Sequence, residues 1–124
     1  MSRIFSTAGT GARTGIPTIV AGAGAGTLPT VSVIGNDNAM QITVVTGSVP
    51  AGTNAVIATI TFNRAFVSSP KVVFSSANAL TATLSGASMV FMDAAGSLTT
   101  YVITSGTVAL TGASTYLWNV VVSQ

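Results

Sequence analysis

The chain has 124 residues, of which 48% are hydrophobic and only 5% charged, with a net charge of +2 and a mean hydropathy of +0.71. That length supports one core and not two, and the pairing of high hydrophobicity with low charge excludes a disordered body. Two of the four cations, Arg3 and Arg13, sit near the start, so there is no basic stripe to displace phosphate counterions and nucleic acid is excluded as a partner.

In chain order, residues 1–27 are read as an extended Gly/Ala-rich arm. Glycine recurs every few residues, no strand or helix period is held, and ordering glycine carries the largest backbone entropy cost. Five bulky apolar residues, Ile4, Phe5, Ile16, Ile19 and Val20, exceed what a solvated tail needs and are the candidate anchoring residues of that arm. Residues 28–124 then form the expected β domain. Runs rich in Val, Ile, Thr and aromatic residues predict strands over 30–34, 40–46, 56–63, 71–75, 89–92, 98–104 and 115–123, separated by Gly, Pro, Asn and Ser.

Alternation assigns faces. In the third of these strands Val56, Ala58, Ile60 and Phe62 share one side, against Ile57, Thr59, Thr61 and Asn63. In the last, Tyr116, Trp118, Val120 and Val122 lie opposite Leu117, Asn119, Val121 and Ser123. Asn36-Asp37-Asn38 after Gly35 predicts a tight turn, with Asp37 as its Asx residue. Helix signals are confined to one possible turn within 77–84. About seven to eight short strands with regular turns indicate an all-β fold, an antiparallel β-sandwich (jelly-roll-like) or small barrel.

No apolar run approaches the roughly 18 residues of a spanning helix, and the chain is too short and too poor in aromatics for a transmembrane β-barrel; no membrane partner is expected. Pro17 and the glycines break residues 16–24 as the apolar stretch of a signal peptide. The absence of cysteine removes any disulfide framework.

The reactive inventory is small. There is no His, Cys or Glu, which leaves Asp37, Asp93, Lys71, Tyr101 and Tyr116 as titratable candidates for acid–base work. Asp37 lies in a turn, Asp93 ends a strand, and Lys71 follows Pro70 at a strand start where a solvated edge charge is expected; no catalytic residue is assigned. Asn36-Asp37-Asn38 lacks the spaced, Glu-closed ligand series of a calcium loop, so no metal is expected. Gly22-Ala-Gly-Ala-Gly has the wrong spacing for a dinucleotide fingerprint and no cofactor is expected. Met40, Met89 and Met92 read as core or interface filler. Tyr101, Tyr116 and Trp118 read first as core; were they exposed, they would be the ligand-binding residues of a carbohydrate platform.

Ile57, Leu117 and Val121 place apolar residues on strand faces turned away from the first core. A domain of this size does not leave such faces bare, so they are expected to be covered by copies of the chain or by a larger assembly.

The run from Gly22 through Leu28-Pro-Thr-Val-Ser-Val-Ile-Gly-Asn-Asp-Asn-Ala-Met to Gly47, the blocks Ile60-Thr-Phe-Asn-Arg-Ala-Phe and Pro70-Lys-Val-Val-Phe-Ser-Ser-Ala-Asn-Ala, and the ending Thr115-Tyr-Leu-Trp-Asn-Val-Val-Val resemble small β-structured virion proteins of tailed bacteriophages. The resemblance covers about residues 22–123, with a departure at Met40, where glycine is expected after the turn. It implies a non-enzymatic structural role at the virion surface, as a homotrimeric capsid decoration or head-fibre protein held on the major capsid protein by its N-terminal arm. The alternative it implies is a tail-fibre tip that recognises a receptor or host-surface glycan.

Overall fold

The computed structural model describes residues 15–124; the expected anchors Ile4 and Phe5 lie outside the described residues. Eight strands are present among the described residues: β1 (Thr18–Ala21), β2 (Thr30–Gly35), β3 (Ala39–Val45), β4 (Val56–Thr61), β5 (Lys71–Ser76), β6 (Phe91–Asp93), β7 (Thr100–Thr104) and β8 (Thr115–Ser123). They pair antiparallel into two four-stranded sheets, in the orders β1-β4-β7-β6 and β2-β3-β8-β5. The fold is therefore all-β and takes the sandwich form of the two expected. A single helical turn, α1 (Ala79–Ala82), sits within the stretch where one was expected. Asn78 caps it by accepting the backbone N–H of Thr81 at 2.9 Å.

The inner faces follow the period-two pattern. Met40, Ile42 and Val44 of β3 and Tyr116, Trp118, Val120 and Val122 of β8 face Ile60 of β4, Tyr101 and Ile103 of β7 and Met92 of β6, all buried. Each such side chain contributes roughly 1.5–3 kcal/mol by leaving water. Tyr116 and Trp118 lie near-parallel, with centroids 6.0 Å apart.

Two expectations about β4 and the arm are corrected. The pairing of β4 with β7 shifts between Val56 and Ala58. The bulge spends one extra residue there, so Ile57 and Ala58 are both buried while Val56 turns outward. Ile57 is core and not an outer-face residue, as strict alternation had placed it.

The sandwich also begins before residue 28. Thr18–Ala21 forms the edge strand paired to β4, and residues 23–25 make a 3-10 turn with Gly24 and Ala25 buried. Gly22 donates its N–H to Ile57 O at 2.8 Å, and a side chain there would collide with the Val56 carbonyl. Residues 18–27 thus belong to the sandwich: the glycines that look like flexibility permit close backbone approach. Among the described residues, no helix is long and apolar enough to cross a membrane.

Candidate functional site

The residues with any acid–base chemistry are distributed, not gathered. Asp37 is 1% exposed. Its two carboxylate oxygens accept the backbone N–H groups of Asn63 at 2.8 Å and Arg64 at 3.0 Å, just beyond β4 in the other sheet. The Asx role expected of it belongs to Asn36, whose Oδ1 accepts from the N–H groups of Asn38 at 2.9 Å and Ala39 at 3.0 Å. Asn38 in turn donates its side-chain amide to Val122 O at 3.2 Å. All three residues of the turn are therefore engaged with main chain. Met40, the departure from the resemblance, pairs with Gly35 in the hairpin and is buried.

Asp93 is exposed on edge strand β6 and Lys71 on edge strand β5. Among the described residues, no group of three or more His, Cys, Asp or Glu side chains could hold a metal ion.

The aromatic platform is corrected. Tyr101, Tyr116 and Trp118 are 0%, 1% and 1% exposed, so none presents a ring to a ligand. Their polar atoms are used internally: the Tyr101 hydroxyl donates to Met40 Sδ at 3.1 Å, and the Tyr116 hydroxyl accepts the N–H of Thr111 at 3.0 Å. Burial holds the Tyr101 hydroxyl well above its ordinary pKa of 10.0, because the phenolate would be desolvated. Phe91 on β6 is the aromatic side chain left exposed among the described residues.

Of the other expected anchors, Ile19 packs against the core, whereas Ile16 and Val20 are exposed. The three do not converge on a common surface, since β1 turns Ile19 inward and Val20 outward.

What remains is the pair of outward sheet faces. On the β2-β3-β8-β5 sheet, cross-strand partners place Ala39 beside Val121 and Val73, and Ile34 beside Gln41 and Asn119. Ile34, Val73 and Val121 are all exposed. A shallow, mainly apolar groove of about 350 Å³ opens here, lined by Ile34, Gly35, Ala39, Met40, Gln41, Asn119, Val120 and Val121. Gln41 Nε2 donates to Asn119 Oδ1 across it at 3.1 Å. The outward face of the other sheet is rich in threonine: Thr18, Thr61 and Thr100 form one row, and Val20, Thr59 and Val102 the next. The four inner strands carry no charged residue, and the strand charges, Lys71 and Asp93, lie on edges.

A second apolar feature lies at one end of the sandwich. Thr27 and Ser48 form an isolated bridge, exchanging N–H···O bonds of 2.8 and 3.1 Å. Immediately after each comes a non-glycine residue with positive φ, Leu28 at 57° and Val49 at 53°, and these are 91% and 86% exposed. This backbone state is unfavourable for Leu28 and more so for the β-branched Val49, and it leaves two apolar side chains displayed to solvent. Sequence reading missed both. The cue present, a proline after each, marks only a turn.

No protein-family model matches the chain, and no curated protein or solved structure matches it significantly.

Proposed function

We propose that this chain is a non-enzymatic structural subunit of a tailed-phage virion, a capsid decoration or head-fibre protein whose sheet faces are covered in the assembled particle. The observation that carries the reading is the uncharged outer surface of the four inner strands. Ile34, Val73 and Val121 add exposed apolar side chains to one of those faces. Soluble monomers seldom leave such a patch bare. The dispersed settings of Asp37, Asp93 and Lys71 support a non-enzymatic role, and the sequence resemblance supplies the virion setting and the trimeric copy number it implies.

The anchoring role falls to the segment ahead of β1, because residues 18–27 are part of the sandwich. A variant lacking residues 2–14 should keep the melting temperature of the β domain and lose co-sedimentation with capsid shells. Retained co-sedimentation would remove the anchoring assignment. The assembly reading itself is tested by light scattering, where a single-chain mass of 12.3 kDa across the micromolar range, with no shell binding, would remove it.

A further inference from the structure

We propose that two copies of this chain join along β2, edge to edge around a two-fold axis, so that the two β2-β3-β8-β5 sheets become one continuous sheet. The proposal rests on the assembly reading above and names the surface and pairing that would serve it.

A free strand edge is a template for another strand, and proteins that must stay apart protect theirs with charge or by keeping them short. Three of the four edges here are protected in those ways. β1 has four residues, β6 has three and carries Asp93, and β5 opens on the exposed Lys71. β2 has six residues, Thr-Val-Ser-Val-Ile-Gly, with no charge, no proline and no register shift against β3. Pro29 precedes it but lies outside the strand.

The main chain shows what this edge offers. Asn36 donates its N–H to Ala39 O at 2.9 Å at the mouth of the β2–β3 hairpin. Bonded positions alternate along an antiparallel ladder. The register therefore turns the N–H and C=O groups of Thr30, Ser32 and Ile34 toward β3, and those of Val31 and Val33 away from it. Among the described residues, no other strand's main chain takes up these outward groups of Val31 and Val33.

The register with a second copy follows from geometry. In a continuous sheet an outward residue must sit opposite an outward residue, so the two-fold axis passes through a residue and not between two. Gly35, with φ of 111°, breaks the extended conformation and leaves Thr30–Ile34 as the pairable stretch. Its centre is Ser32. Val31 of one copy then faces Val33 of the other, twice, and the four outward N–H and four C=O groups reduce to four mutual hydrogen bonds. Ser32 meets Ser32 of the second copy as a pair without hydrogen bonds, at a Cα separation of about 4.5 Å.

The same register brings an apolar side chain to the apolar groove. Thr30 of the second copy falls opposite Ile34, so the turn that precedes it, with its exposed Leu28, comes toward the end of the groove lined by Ile34, Gly35, Ala39 and Met40. By symmetry this happens twice. Nothing charged lies on β2 or along the groove to oppose the approach.

The test uses the absence of cysteine from the chain. Ser32 is outward and exposed, so Ser32→Cys should fold normally. The Cα separation expected at the axis lies within the range a disulfide spans, roughly 4.4–6.8 Å. Mild oxidation should convert most of it to a covalent dimer on a non-reducing gel, whereas Ser75→Cys, at the far edge of the same sheet, should stay single-chain. Light scattering should give an even number of copies, two or, if trimers pair, six. Ser32→Lys, which sets two ammonium groups opposite each other, and Leu28→Asn should each weaken association at least tenfold without changing the circular dichroism spectrum. Equal cross-linking of the two cysteine variants, or a mass of three copies, would overturn the β2 pairing and leave the assembly reading standing. A single-chain mass would overturn both.

Discussion

The Asp37 carboxylate accepts the main-chain N–H of Asn63 at 2.8 Å, across 26 residues of sequence and from one sheet to the other. Asp37 belongs to the β2–β3 turn, while Asn63 follows β4. The contact, with its companion to Arg64, therefore ties the end of one layer to the end of the other. Hydrogen bonds to an ionised acceptor are worth more than neutral ones, and losing this acceptor strands two donors. Asp37→Ala is expected to cost about 2–4 kcal/mol. Thermal melting should show a fall on the order of 10 °C or more, with no change in strand content.

Tyr101 links stability to alkaline pH. Its folded-state pKa is raised by burial above the ordinary 10.0. Below pH 10.0 both the folded and unfolded forms keep the phenol proton and stability is unaffected. Above it the unfolded chain ionises while the folded one does not, so stability falls as pH rises. Urea midpoints measured from pH 8 upward should decline past about pH 10, and Tyr101→Phe should lack the part of the decline that the wild-type protein owes to this group.

Trp118 is the chain's single tryptophan, so its emission reports one site. A buried ring stacked on Tyr116 should emit at short wavelength and resist acrylamide quenching until the sandwich unfolds. Ready quenching in the native protein would contradict the core placement. Trp118→Ala should cost about 3–5 kcal/mol by leaving a cavity between the sheets, read as a lower urea midpoint.

Val49 offers a change in the opposite direction. Its positive φ is unfavourable for a β-branched residue, and its side chain has almost no burial to lose. Asparagine tolerates this backbone state, so Val49→Asn should stabilise the domain by about 1 kcal/mol. Calorimetry should register this as a rise of roughly 4–8 °C.

The strand pattern was legible where side chains alternate over a full strand. The boundaries of β8 and the inward set Tyr116, Trp118, Val120 and Val122 follow from periodicity alone. Legibility ended where geometry is not periodic or partners are distant. Strict alternation cannot anticipate the β4 bulge, which makes both Ile57 and Ala58 inward. β1 was hidden among glycines whose use, letting Gly22 approach β4, depends on a strand some 35 residues later. Asp37 looked like a local turn residue because its true partners, at 63 and 64, are invisible to neighbour-by-neighbour reading. The outward apolar surface was half legible: Val121 follows from alternation, but Leu28 and Val49 owe their display to backbone states that no propensity favours.

The placement of β8 has a consequence for how the protein is made. It lies between β3 and β5, so it supplies both with their inner neighbour, yet it follows them in the chain. While a ribosome is still synthesising residues 77–114, the β2–β3 hairpin and β5 exist without the strand that joins them. The two meet only when the final strand threads into the gap. Pairings that close such long loops are slow to form, and a half-built sheet exposes apolar edges meanwhile. A ribosome stall before residue 115 should therefore release an aggregation-prone chain, whereas one that yields residues 115–123 should release a folded one.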